Sequence, residues 1–324
     1  MRINAFPALL LSLVGVAGGC RQQADAATDT LLAAREKKVE ARIAAARRDT
    51  TGQLAPVAKW VLPDVLREVS GVAVTSDGRI LAHNDERARV YVLHPSRGVI
   101  VKEFTVGERG LAGDFEAITV SGSDIFMMMS NGDVYQFREG KENDFVPFKR
   151  FDTKLGKECE FEGMAVEPGS GAFLLLCKVI GEKSKRDRVL IYRWLSQPGK
   201  APVVSTISVP LSEAIGANGW KELSPSDLTI DPATGNYVLI AGRQKALVEI
   251  TPSGSVVRSF PLPGNPQQPE GVAITRDGIL IIGDEGVTRA ADITLYPWRR
   301  DQGAAASNST DSADVSRGDS TSAR

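Results

Sequence analysis

The chain has 324 residues, 42% of them hydrophobic and 24% charged, with 39 Lys and Arg against 40 Asp and Glu. That balance argues against a nucleic-acid binder, which carries a basic excess, and two histidines in the whole chain leave little material for His-rich metal centres. With 31 Gly and 17 Pro, the length suits one large all-β domain of short strands and turns, or two average domains.

Residues 1–19 read as a secretory signal peptide. Arg2 supplies a short positive head, and residues 8–17 form an apolar run too short to span a bilayer. The run ends in Ala17-Gly18-Gly19-Cys20, which resembles the lipobox of bacterial lipoproteins, with Ala17 where that pattern prefers Leu. The resemblance implies cleavage before Cys20 and acylation of Cys20. Arg21, not Asp, follows the cysteine, which by the same resemblance implies the outer membrane, facing the periplasm. The bland alternative is an ordinary cleaved signal with an incidental cysteine. Residues 20–52 are then lipid anchor and spacer. They are rich in good helix formers but show no apolar stripe wide enough to pack. A partly helical, solvated spacer is expected.

Residues 53–300 hold a repeat, and the repeat predicts the fold. Five segments align, each an apolar strand, a tight turn and a second apolar strand. Their first strands start at Ser70-Gly-Val-Ala-Val, Glu116-Ala-Ile-Thr-Val, Glu162-Gly-Met-Ala-Val, Asp227-Leu-Thr-Ile and Glu270-Gly-Val-Ala-Ile. The turns include Asp77-Gly78, Gly122-Ser123, Pro168-Gly169, Thr234-Gly235 and Asp277-Gly278, and such turns favour hairpins because Gly and Asp tolerate positive φ. A third strand follows in every unit and a fourth in the first four, at residues 99–106, 146–151, 203–209 and 256–262. Four strands every 40–50 residues or so is the arithmetic of a β-propeller. The orphan stretch 57–62 completes the last blade and closes the ring, covering edges that would otherwise invite aggregation. The expected architecture is one all-β propeller of five four-stranded blades. A sixth blade would have to hide in the long third unit or in residues 211–224, and the latter reads as a short helical insertion. Residues 301–324 are Ser, Ala, Asp, Thr and Gly with almost nothing apolar, and are expected to be disordered.

Glu-Gly-Val-Ala-Ile followed by Asp-Gly and a short apolar strand resembles NHL-type propellers. Ser70-Gly71-Val72, Asp114-Phe115-Glu116-Ala117-Ile118 and Phe161-Glu162-Gly163-Met164 more closely resemble the SdiA-regulated family of bacterial envelope propellers. That resemblance implies a cell-envelope β-propeller with no assigned reaction. A weaker resemblance is to the "esterase-like activity of phytase" group.

In a propeller the loop entering the first strand and the loop leaving the second lie on one face. The entry positions are Ser70, Glu116, Glu162, Asp227 and Glu270, so four of five are acidic. The exits carry Asn84-Asp85-Glu86, Ser130-Asn131, Cys177-Lys178, Gly242-Arg243 and Gly283-Asp284-Glu285. Carboxylates crowded at a narrow mouth repel one another unless a cation neutralises them. Lys178 and Arg243 could pair with Glu162 and Asp227. Alternatively Ca²⁺ could sit among Glu116, Glu162, Asp227 and Glu270, with Asn84, Asn131 or water completing an oxygen shell. The bland reading is that the acidic residues accept backbone N–H bonds and hold blades together. Asp85, Asp284 and Glu285 join Asn84, Asn131, Lys178 and Arg243 as candidate ligand-binding residues. His83, the run Met127-Met128-Met129 and the tryptophans read as packing, with Trp220 the one to test for ligand contact.

Cys159 lies just before a first strand and Cys177 closes its partner, so pairing around the Pro168-Gly169 turn brings them near each other. Export favours oxidation, and a disulfide is expected. The chain has no Gly-x-Ser-x-Gly, phosphate-loop, His-Glu-x-x-His or Cys-x-x-Cys motif. The leading expectation is therefore a non-enzymatic, lipid-anchored binding module for a protein, a peptide or an envelope polymer, with Ca²⁺ as a candidate ion. The alternative is a metal-dependent hydrolase of lactonase or phosphoesterase type, with Lys178 and Arg243 holding an anionic substrate.

Overall fold

The computed structural model describes residues 17–46, 48 and 55–298, with side chains from residue 28 onward. The expected signal peptide, apart from residues 17–19, and the expected disordered tail lie outside the described residues, as does the side chain of Cys20.

Five sheets surround one axis. Blade one comprises Val69–Val74, Ile80–Asn84, Arg89–His94 and Val99–Val106; blade two Phe115–Ser121, Asp124–Met129, Val134–Arg138 and Phe148–Phe151. Blade three comprises Cys159–Val166, Phe173–Ile180, Arg188–Leu195 and Val203–Pro210; blade four Pro225–Ile230, Tyr237–Ala241, Ala246–Ile250 and Val256–Pro261. Blade five takes Pro269–Ile274, Ile279–Asp284 and Asp292–Pro297 and is completed by Ala58–Val61, which pairs antiparallel with Asp292–Leu295. The orphan N-terminal strand therefore closes the ring as expected. First strands of successive blades lie side by side, and that of blade five lies against that of blade one. Residues 211–224 form no sixth blade; they contain the short helix α2, Leu211–Ile215.

The turn chemistry read from the sequence is built twice in the same form. In Thr75–Arg79 and Thr275–Ile279, Asp accepts from the threonine hydroxyl, and Gly78 and Gly278 adopt φ of 84° and 81°, where a side chain is strained.

Burial follows the blades. Five apolar cores fill the five interfaces between neighbours. Met127 is buried in the blade one–two core and Met128 in the blade two–three core, where Trp194 stacks on Phe173 at a ring distance of 5.6 Å. His83 is wholly buried, and burial lowers its pKa to about 4, so it is a neutral packed histidine.

Two expectations need correcting. The stretch 146–151 is not one strand. Phe145–Val146 pairs parallel with Thr105–Val106 as a fifth strand of blade one, and Phe148–Phe151 alone forms the fourth strand of blade two. Pro147 stands at the break between them. The spacer is not simply solvated either. Helix α1, Ala17–Ala46, buries Val39 and packs Ile43 and Ala46 on the core between blades one and five. Arg97 pairs with Glu36 at 2.8 Å, and Arg35 donates to the Arg97 carbonyl at 2.9 Å. Three apolar contacts spaced at 39, 43 and 46 are too sparse to read as a stripe, but they suffice to dock one end of a helix. Among the described residues no helix is long and apolar enough to cross a membrane.

Candidate functional site

The mouth is organised by one backbone irregularity repeated five times. In every blade the ladder between the first and second strands skips one residue near the entry: Ser70, Glu116, Glu162, Ser226 and Glu270. Each is the extra residue of a β-bulge, a device that re-aims a side chain at a sheet edge. The bulges sit on the face where first strands begin. Beside each stands the residue that follows, on the second strand, the partner of the residue before the bulge: Asp85, Ser130, Lys178, Gly242 and Glu285. Among these ten positions five are carboxylates, Asp85, Glu116, Glu162, Glu270 and Glu285, and one is an ammonium, Lys178.

The register removes Asp227 from that ring. Its equivalents are Gly71, Ala117, Gly163 and Gly271, one residue past the bulge, and the bulge residue of blade four is Ser226. At this step neighbouring first strands nearly touch. A Cβ on Gly163 would lie 2.7 Å from the Leu228 nitrogen, and one on Gly271 would lie 2.9 Å from the Val72 nitrogen. Asp227 meets the same crowding with an acceptor: its Oδ2 takes the Val272 N–H at 2.8 Å and its Oδ1 the Leu228 N–H at 2.7 Å. Asp227 thus bonds across the interface between blades four and five, with both of its oxygens taken by backbone N–H groups. The Ser226 hydroxyl donates to the Pro269 carbonyl at 2.7 Å, also across the interface. Aligning Leu228 with Val72, Ile118, Met164 and Val272 places Ser226 at the bulge, whereas the acidic pattern puts Asp227 there, one residue off.

Lys178 forms an ion pair with Glu162, as one of the sequence alternatives had it. Burial works against its ammonium, but Glu162, Glu270 and Glu116 outweigh burial and raise its pKa. Carboxylates from three blades therefore act on one amine. The acids are correspondingly pushed up. Burial, then Glu162 and Asp114, raises Glu116 to about 9. Burial, then Glu162, raises Glu270 to about 8. Burial raises Glu162 even beside Lys178. Burial and then Glu68 raise Asp85 and Glu285. Glu68 and Asp114, which the repeat pattern did not single out, thus belong to the same negative field.

The other candidates are placed elsewhere. Arg243 does not meet Asp227; it is exposed and lies 3.7 Å from Glu222. Asn131 closes a turn, accepting the Asp133 N–H at 2.9 Å and donating to its carboxylate at 3.1 Å. Asp284 is buried under the Gln267 and Gln268 N–H groups and Arg289. Asn84 donates to the Val65 carbonyl at 3.4 Å, while its Oδ1 and Oδ1 of Asp85 are buried without a protein partner. Trp220 is half-buried. Among the described residues no three His, Cys, Asp or Glu side chains converge on one point as ready-made metal ligands.

Cys159 and Cys177 are bridged, with Cα atoms 5.7 Å apart, at the mouth end of blade three. The expected disulfide is therefore present.

The Glu-Gly bulge motifs and the five-bladed ring now stand together. The SdiA-regulated family model matches residues 213–312. That span takes in blades four and five through Trp298 and bears out the resemblance read from the blade motifs. No curated protein matches the chain. Among solved structures, the PQQ-bound aldose sugar dehydrogenase of Streptomyces coelicolor is 14% identical, over 75% of this chain and 99% of its own, with a TM-score of 0.46. A glutaminyl cyclase of Myxococcus xanthus is 13% identical, over 76% and 97%, with a TM-score of 0.47. A streptogramin B lyase is 16% identical, over 76% and 74%, with a TM-score of 0.36. At such identities the likeness concerns the fold alone.

Proposed function

We propose that this chain is a lipid-anchored binding module of the cell envelope, whose carboxylate mouth receives a cationic group of a protein, a peptide or an envelope polymer. The anchor is Cys20, through the lipobox-like run before it. The observation that carries the binding reading is the seating of Lys178. An ammonium already sits against Glu162 and within the field of Glu116 and Glu270, so the ring accepts that chemistry in its own fold. Burial above all, and then the neighbouring carboxylates, raises Glu116 and Glu270, so at neutral pH they hold protons. A ligand amine or guanidinium would displace those protons and pair with the carboxylates left behind. Ca²⁺ is the rival occupant of the same oxygens. It favours six to eight oxygen ligands, and it would require Lys178 to move aside.

Two experiments test this. Cys20→Ala should move the protein from the membrane to the soluble periplasmic fraction; unchanged fractionation with no lipid label on the wild type removes the anchor. Fluorescence anisotropy with a labelled tetralysine peptide should show salt-sensitive binding that Glu116→Gln with Glu270→Gln abolishes. Absence of peptide binding, with a rise in melting temperature on adding Ca²⁺ to chelator-treated protein, would assign the mouth to the metal instead.

A further inference from the structure

Blade three differs from the other four at the mouth. In blades one, two, four and five the second strand stops at Asn84, Met129, Ala241 and Asp284, the partner of the residue just before the bulge. In blade three the hairpin runs on: Cys159 pairs with Ile180 and Glu160 with Val179, beyond the pair Phe161–Cys177. Gly181 extends it by one further bond to the Glu158 carbonyl, at 2.9 Å. Between these pairs Lys178 has no partner across the ladder, so the second strand carries a bulge of its own facing that of Glu162. The two bulged residues, one from each strand, form the ion pair that fills the ring.

The pairs on either side, Glu160–Val179 and Gly163–Leu176, keep one register, so Lys178 would enter the ladder if Phe161 paired with it and Glu162 with Cys177. The disulfide stands where it bars that re-pairing. It ties Cys159, at the outer end of the extension, to Cys177, the residue before Lys178. Both cysteines are buried, so the bond also packs the extension down onto the blade two–three core. In that regular ladder Cys159, opposite Ile180, and Cys177 would stand three residues apart along the hairpin, about 10 Å, which carries the two Cα atoms out of bridging range.

We propose that the Cys159–Cys177 bridge is a positioning device that holds Lys178 out of the ladder and its ammonium inside the glutamate ring. For its consequence this rests on the cation-binding reading: Lys178 is then a tethered counter-ion that an incoming cation must displace, and it sets the threshold for binding.

The test compares wild type, Cys159→Ser with Cys177→Ser, and Lys178→Met, each confirmed as folded by circular dichroism. The first readout needs no ligand. Brief labelling with acetic anhydride is followed by peptide mass spectrometry, with the exposed Lys154 as internal standard. Lys178 should label slowly in the bridged protein and roughly fivefold or more faster without the bridge, as its amine leaves the carboxylates that protect it. Equal, slow labelling in both forms overturns the proposal. If the serine pair does not fold, Cys159→Ala with Cys177→Val keeps the buried volume apolar and gives the same comparison. The second readout is tetralysine affinity. Lys178→Met should tighten it by roughly tenfold, and loss of the bridge should tighten it in the same direction but add little to Lys178→Met. Tighter binding by Lys178→Met without any effect of the bridge leaves the mouth a cation site and sinks the positioning role. Failure of every form to bind peptide sinks the cation reading, while the labelling result still decides the bridge.

Discussion

The carboxylate of Asp227 in blade four spans to blade five, where it accepts the backbone N–H of Val272 at 2.8 Å. Its other oxygen takes the N–H of Leu228 at 2.7 Å, so one buried side chain satisfies two donors of adjacent inner strands. Three of the other interfaces answer the same crowding by omission: Gly71, Gly163 and Gly271 carry no side chain where the next strand passes, and the fourth has the small Ala117. The inner ring is thus held by absent atoms at some junctions and by a shared carboxylate at one.

Asp227→Ala leaves two buried N–H groups without acceptors. Leaving a buried donor unpaired costs about 1–3 kcal/mol, so the variant should lose several kcal/mol in urea denaturation. Asp227→Asn keeps one acceptor and should lose less. Stability of the alanine variant equal to wild type would mean that this bond does not hold the blades.

Gly271→Ala should be destabilising by about 1–3 kcal/mol, the usual cost of forcing extra volume into a packed site. The new Cβ would meet the Val72 nitrogen at 2.9 Å and the Gly71 carbonyl carbon at 3.1 Å. Gly219→Ala is the control, because nothing lies within 4 Å of its Cβ position. Equal melting temperatures for the two variants would contradict the close-approach account.

The mouth should make stability fall as pH rises. Glu116 and Glu270 start from ordinary values of 4.5 and are raised to about 9 and about 8 in the folded chain. Between those limits the folded state binds protons that the unfolded state releases, so the stability they contribute is lost as pH climbs through the folded values. His83 acts in the opposite direction. Its pKa falls from 6.5 to about 4 on folding, so its contribution is lost as pH drops through that window. The melting temperature should therefore decline from pH 7 to 9, while below pH 6 the loss at His83 offsets part of the gain at the two glutamates. Glu116→Gln with Glu270→Gln should flatten the alkaline limb alone. An unchanged alkaline limb in that variant would place the titrating groups elsewhere.

Helix α1 should be a docked part of the domain. Val39→Asp with Ile43→Asp places two charges in the interface with blades one and five, and burying an unpaired charge is strongly unfavourable. Limited trypsin digestion should then cut at Lys37, Lys38 or Arg42 much faster than in the wild type, with the propeller left intact. Equal cutting rates would mean that the helix is free of the blades in solution.

Much of this protein was legible without coordinates, for a local reason. Strand, Asp-Gly turn and strand are properties of contiguous residues, and their recurrence set the blade count, the propeller and the role of residues 57–62 as closing strand. The proximity of Cys159 and Cys177 followed from one hairpin, and so did the Lys178–Glu162 pair. What the tertiary structure alone decided depends on contacts between units. A bulge is a mismatch between two strands, so whether Ser226 or Asp227 occupies the ring is a question of register, to which residue type was a misleading guide. Arg243 belongs to the right loop but points to Glu222, because the direction of a side chain leaving a strand depends on where the chain goes next. The docking of α1 through Val39 rests on a surface assembled from blades one and five, the two ends of the propeller. No periodicity within the helix could reveal that surface, because it exists only once the ring has closed.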